Sequence, residues 1–188
     1  MDLYWLDLET TGLDPEDDYI LEIAIYKSTL GDSFNVQPVY NRVLRFKYNT
    51  SSYGRENTCR KLDPFVLDMH TKNGLLEECL DANESTTSAE NYLLTLIPVI
   101  ENPKDKPVLA GNSVHFDHSF IQKHMPRLNE RFSHRHYDVS SIYLFCQSLG
   151  MPKPEKVEAH RAQADVLASV ELAKKCRDWL WKISGGVI

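Results

Sequence analysis

Apolar residues along this chain fall in short, bounded runs separated by turn residues, the pattern of a domain that mixes strands and helices. Leu3 to Leu8 is a mostly apolar run that ends in polar residues and is bounded by Gly12 and Asp14-Pro15, so it reads as a buried strand. Tyr19 to Tyr26 (YILEIAIY) reads as a second strand and Val36 to Phe46 as a third, and the three together predict an antiparallel start to a sheet. The stretch at about 47–61 is polar, rich in Asn, Ser and Tyr, and without a period; it is expected to be a loop insertion.

Helical signals follow. Asp63 to Met69 and Leu75 to Leu80 predict short helices on either side of Gly74. Thr87-Ser88-Ala89-Glu90 matches a capping box ahead of the run YLLTLIPVI. Val108 to Ala110 predicts a strand, Phe116 to His124 a helix stopped before Pro126, His136 to Val139 a strand, and Ser140 to Leu149 a helix ending at Gly150. Pro152 and Pro154 mark a loop before the last helix, at about 161–181, with Val166, Leu167, Val170, Ala173 and Leu180 expected among its buried positions. Strands first, then alternating helices and strands, with no internal repeat and no linker, imply one α/β domain with a mixed sheet over 1–188.

Composition narrows the function classes. The chain has 188 residues, enough for one domain with a full-sized core, and its 42% apolar content is ordinary for a globular protein. No apolar run approaches the roughly 20 residues that span a bilayer. The acidic start MDLYWLDLE lacks a basic n-region, so no signal or transit peptide is expected. Cys59, Cys79, Cys146 and Cys176 show no zinc-type spacing and are expected to be reduced thiols of a cytoplasmic protein. The formal net charge of −6 argues against a protein that holds long nucleic acid by neutralising phosphates. An enzyme holding a few nucleotides is compatible with it, because divalent cations on a carboxylate cluster reverse the local charge.

Three places carry candidate chemistry. Asp7-Leu8-Glu9 ends the first strand, where alternation puts both carboxylates on one face; they repel each other, and a cation relieves the repulsion. Asp117, in Asn112 to Asp117 (NSVHFD), lies where a strand gives way to a helix, a position that simple capping also explains. His160 and Asp165 in HRAQAD are five residues apart, roughly 140° around a helix, so they converge only if His160 lies on the loop before it. Each place alone has a bland explanation: a solvated acidic turn, a capping residue, an exposed His and Asp. The order D-x-E, D, H-x(4)-D, each at a strand end or helix start, makes the joint reading functional.

The strings WLDLETTGLDP (5–15), MHTKNGLLEE (69–78), LAGNSVHFD (109–117), YDVSS (137–141) and HRAQAD (160–165) resemble the DEDD exonucleases with a catalytic histidine, and among them the oligoribonucleases, over nearly the whole chain. The resemblance implies a ribonuclease-H-like α/β fold, a homodimer, and release of 5′-mononucleotides from the 3′ end of short single-stranded RNA. It places Asp7, Glu9, Asp117 and Asp165 on the family's metal-binding acids and His160 on its general base. Leu13 falls on an apolar wedge beside the bases, and Ser113, Arg135 and Ser140 on positions that hold the terminal 5′ phosphate. Phe65 stands where the family usually has a stacking Trp, and His134 where it has a Tyr from the partner subunit; both keep a ring. Ala164 replaces one of the family's usual acidic pair, and the polar insertion is a further departure.

The implied cofactors are two divalent cations, Mg²⁺ or Mn²⁺, which would activate water and stabilise the charge that builds at phosphorus. Hard oxygen ligands suit both ions, which explains acids rather than thiols. A histidine is suited in general to take a proton from the attacking water. The alternatives are a broader exonuclease on single-stranded DNA or longer RNA, and a nucleic-acid-binding module with a dead site.

Overall fold

The computed structural model describes residues 1–31, 33–47, 62–154 and 160–185. The expected loop insertion falls almost wholly on 48–61, outside the described residues. A five-stranded mixed sheet forms the centre, in the order β3 (Gln37–Val43), β2 (Ile20–Thr29), β1 (Asp2–Thr10), β4 (Val108–Gly111), β5 (His136–Asp138). β1 is antiparallel to β2 and parallel to β4; β3 extends the antiparallel side and β5 the parallel side. The expected antiparallel start and the mixed sheet are both present.

β1 is covered on both faces, so its apolar run is nearly continuous. Its even positions, Tyr4, Leu6 and Leu8, enter one core with Ala89 and Leu93 of α3 (Thr86–Leu96) and Phe120 and Ile121 of α4 (His115–His124). Its odd positions, Leu3 and Trp5, enter the other core with Val166, Val170 and Ala173 of α7 (Ala162–Ile183). The next odd positions are Asp7 and Glu9. The strand therefore carries its side-chain alternation straight from the α7 core into a pair of acids. At the β4 end, a Cβ on Gly111 would stand 2.7 Å from the Leu6 carbonyl, so only glycine permits that close approach.

Between strands lie α1 (Pro64–Lys72), α2 (Leu75–Asp81), α5 (Pro126–Asn129) and α6 (Val139–Ser148). Asp63 caps α1 by accepting the Phe65 N–H, and Pro64 supplies its first residue. The helix expected to stop before Pro126 does so, and Pro126 then opens the single turn α5, as proline can at a first helical position. Two expectations need correcting. The capping box of α3 is made by Ser85 and Ser88, two residues before the expected start, and the helix stops at Leu96. Leu167 is 40% exposed and Leu180 is only half-buried. The buried stripe of α7 runs through Ala162, Val166, Ser169, Val170, Ala173 and Cys176, and Leu167 lies roughly 100° past Val166. Among the described residues no helix is long and apolar enough to cross a membrane.

The freed Glu90 has a different task. Its buried carboxylate accepts the backbone N–H groups of Arg127 (2.8 Å) and Leu128 (3.2 Å) and pairs with the Arg127 guanidinium (2.6 Å), so it caps α5 from α3. Glu90→Ala leaves two amides and a cation without that partner. It is expected to cost about 2–4 kcal/mol and lower Tm by about 5–10 °C by calorimetry, with activity at 25 °C retained.

Candidate active site

Three segments distant in sequence bring their acids to one point. Asp7 and Glu9 come from the end of β1, and Asp165, partly buried, from the first turn of α7, where it flanks the buried stripe through Ala162 and Ser169. One carboxylate oxygen from each of these three lies within 4.8 Å of the others. Asp117 approaches from the first turn of α4 and is buried; its Oδ1 accepts the Leu8 N–H at 2.9 Å, fastening α4 to β1 between the two strand acids. The register of β1 against β2 slips between Glu9 and Thr10, ending regular pairing where the acids are presented.

The charges are uncomfortable together. Burial, then Asp117, Glu9 and Asp165, hold the Asp7 carboxyl well above the usual range. Burial, then Asp165 and Glu22, push Glu9 up to about 8, and burial pushes Asp117 to about 8 against the Leu8 hydrogen bond. Four acids brought together in this way form a site that a divalent ion suits.

Their support was not legible in the motifs. Glu22, opposite Glu9 on β2, is buried and accepts from Arg161 Nε (3.1 Å), Arg161 Nη2 (3.2 Å) and the Ala162 N–H (3.0 Å). It thus caps the N-terminus of α7 from the sheet, while Arg161 also grips Glu78 of α2 at 2.8 Å. Its hydrogen bonds to Glu22, first, and to Glu78 hold the Arg161 pKa above the ordinary value against the opposing effect of burial. The Arg161 N–H in turn donates to Asp165 Oδ2 at 3.1 Å. The only sequence signal was the Glu inside the apolar strand ILEIA and the Arg inside HRAQAD.

His160 lies on the loop before α7, as the five-residue offset required, with φ 48°. A non-glycine residue in that left-handed region costs about 1–2 kcal/mol, so its surroundings must hold it there. Its carbonyl accepts from Asn73 Nδ2 at 2.6 Å.

Two clefts flank the acids. One, of about 860 Å³, is lined by Glu9, His70 and the exposed Leu13 (83%) and Phe65 (70%). The other, of about 630 Å³, is lined by Asp7, Asp165, His160 and Ser140, and runs on to Tyr143, Lys153 and Lys175. Ser113, at φ 55°, donates its N–H to Ser140 Oγ at 2.8 Å. The Ser140 hydroxyl donates to Asn112 Oδ1 at 2.9 Å, so Ser113 is the donor in the 2.9 Å contact between the two hydroxyls. The structure thus gathers Leu13 and Phe65 on one side and Ser113 and Ser140 on the other. His134 and Arg135 stay exposed on the turn before β5 and line neither cleft.

The fold is similar to that of exonuclease I from Methylocaldum szegediense, with a TM-score of 0.69 at 18% identity over 94% of this chain. It is also similar to a product-bound exonuclease I, with a TM-score of 0.64 at 18% identity over 94% of the chain. The chain spans only 40% and 43% of those two proteins. A family model described as an exonuclease, RNase T, matches residues 4–173. The oligoribonuclease of Corynebacterium diphtheriae is 33% identical over 183 residues, 95% of this chain and 83% of its own length. That of Colwellia psychrerythraea is 31% identical over 188 residues, 96% of each. The chain belongs to the RNase T exonuclease family and, within it, to the oligoribonucleases. Members of this exonuclease family depend on divalent metal, and Asp7, Glu9 and Asp165 lie close enough together to share an ion.

The raised carboxyls link stability to pH. A carboxyl whose pKa is higher folded than unfolded favours folding in its protonated form. For Glu9 and Asp117 that contribution is complete below their ordinary values of 4.5 and 3.8 and is lost as pH rises to about 8. The metal-free protein is therefore expected to lose Tm between pH 5 and pH 8.5, and divalent cation at pH 8 to restore it with release of protons. Asp7→Asn should flatten the fall by relieving its neighbours. Calorimetry of both proteins in chelator checks this; equal pH slopes in the two would separate the acids from it.

Proposed function

We propose that this protein is a metal-dependent 3′→5′ exoribonuclease that degrades short single-stranded oligoribonucleotides to 5′-mononucleotides, with Mg²⁺ or Mn²⁺ as its cations. The observation that carries the reading is the convergence of Asp7, Glu9 and Asp165 within 4.8 Å, beside His160 and between two clefts. Asp7, Glu9, Asp117 and Asp165 hold the two cations, which when bound supply activated water and charge stabilisation at phosphorus. His160 takes the proton from the attacking water. Leu13 and Phe65 flank the bases at the 3′ end, their exposed apolar surfaces suited to stacking. Ser113, Ser140 and Arg135 receive the terminal 5′ phosphate.

The reading includes a homodimer and a cytoplasmic location. The exposed Leu144, Phe145 and Leu149 of α6 and its end support a covered face, and His134 and Arg135 on their exposed turn are placed to serve a partner's site. The buried, free Cys79, Cys146 and Cys176 suit a reducing compartment. A second reading, a broader exonuclease on longer RNA or single-stranded DNA, is favoured by one feature: the second cleft continues past Ser140 to Lys153 and Lys175, which suits further phosphates.

Asp7→Ala, Glu9→Ala, Asp117→Ala and Asp165→Ala should each remove most activity with the fold intact by circular dichroism. His160→Ala should lose rate by about 100-fold or more while metal and substrate still bind. Near wild-type turnover in the Asp7 or Asp165 variant would sink the two-metal reading. Length selectivity decides between the substrates. With 5′-labelled RNA and DNA of two to about ten nucleotides, 5′-phosphorylated RNA dinucleotides are expected to be cleaved faster than heptamers, by about ten- to a hundredfold for one charge-assisted phosphate contact. Arg135→Ala should flatten that difference. Equal rates on both lengths, unaffected by Arg135→Ala, favour the broader exonuclease.

A further inference from the structure

The turn joining α1 to α2 reaches the active site through one side chain. Asn73 Oδ1 accepts the Leu75 N–H at 3.1 Å, and Asn73 Nδ2 donates to the His160 carbonyl at 2.6 Å. These two contacts settle the orientation of the amide, since the flipped form would set a donor against a donor and an acceptor against an acceptor. Nδ2 also lies 3.5 Å from Nδ1 of the fully buried His70, whose Nε2 lies 3.3 Å from the Thr10 carbonyl, next to Glu9. Asn73 thus ties the loop that carries His160 to the start of α2 and, through His70, to the strand end that carries Glu9.

His160 needs such a tie. Its backbone is in the left-handed region, two residues before α7 begins. On its C-terminal side the chain is fixed by Arg161 and Ala162 on Glu22. On the side facing α1 and α2, the Asn73 amide holds the peptide carbonyl. A turn fixed at the carbonyl and at the following residue sets where the His160 side chain leaves the backbone relative to the acids, and so restricts the imidazole to the staggered rotamers allowed there.

We infer that Asn73 is a positioning residue for the reaction, acting through the His160 main chain to aim the imidazole at the carboxylate cluster. The inference rests on the reading of His160 as proton acceptor. Asn73 lines neither cleft; it acts on rate through geometry, where misplacement of a group by about 1 Å costs about a hundredfold.

Asn73→Asp separates this role from a merely structural one. Aspartate keeps the length and the acceptor for the Leu75 N–H, so α2 remains capped, but it turns an acceptor toward the His160 carbonyl. With a 5′-phosphorylated RNA dinucleotide and Mg²⁺, each enzyme measured at the plateau of its own pH profile, kcat should fall about 10- to 100-fold. KM should change less than about threefold, and Tm by no more than a few degrees. In the His160→Ala background, Asn73→Asp should lower kcat no further, because the group it positions is gone. Asn73→Ala, which removes both contacts, should lose the same kcat together with some Tm. Wild-type kcat in Asn73→Asp alongside an impaired His160→Ala would overturn the inference and leave the proton-acceptor reading standing. Wild-type kcat in His160→Ala would overturn both. A full additional loss in the double variant, or a fall in Tm of the size seen for Asn73→Ala, would assign Asn73 to stability alone.

Discussion

Mutual repulsion among crowded carboxylates sets the terms for this structure. Glu9 and Asp117 are buried and Asp7 and Asp165 partly so, and burial together with their neighbours raises the pKa of Asp7, Glu9 and Asp117. No residue motif holds such a group together from within. The positions of the acids are forced from outside by the central strand, by the Leu8 N–H on Asp117, and by the helix that carries Asp165. Repulsion that the fold withstands without metal is relieved wherever a divalent cation enters such a group.

The support for this arrangement is itself ionic and lies one layer out. Glu22 would add a further negative charge, yet it is spent on Arg161 and on the first N–H of α7. It therefore acts as a fastener between sheet and helix. Arg161 reaches on to Glu78, so β2, α2 and α7 meet at one guanidinium. A planar, multiply donating head is suited to join elements in this way, which an ammonium would do poorly. Asn73 completes the ring by holding the His160 carbonyl from the α1–α2 turn. The segment MHTKNGLLEE, which has no catalytic residue in it, is thereby physically part of the site.

The two clefts differ in kind. On one side two large apolar side chains stand out into solvent, an arrangement that burial alone disfavours. On the other, three polar side chains, Asn112, Ser113 and Ser140, bond to one another around a residue in a left-handed conformation, and the cleft beside Asn112 and Ser140 continues to two lysines.

Much of this was readable from the chain alone. Period-two alternation in β1 determined that Asp7 and Glu9 share a face, because successive strand residues point to opposite sides whatever their neighbours. The angular offset of His160 from Asp165 determined that the histidine precedes the helix. Local chemistry was readable to within a residue or two at most element ends and failed where a distant partner intervened. Glu90 has the form of a capping residue for its own helix, but it serves α5 through Arg127 and Leu128. Leu167 is apolar and sits beside a buried stripe, yet it faces outward because the sheet covers only one side of α7. Glu22, Arg161, His70 and Asn73 could not be assigned from the sequence, since each acts through contacts 60 or more residues apart that exist only once the helices dock on the sheet; the 140-residue separation of Glu22 and Ala162 is the longest of them. Local sequence decides which way a side chain points on its own element, and only tertiary packing decides what it meets there.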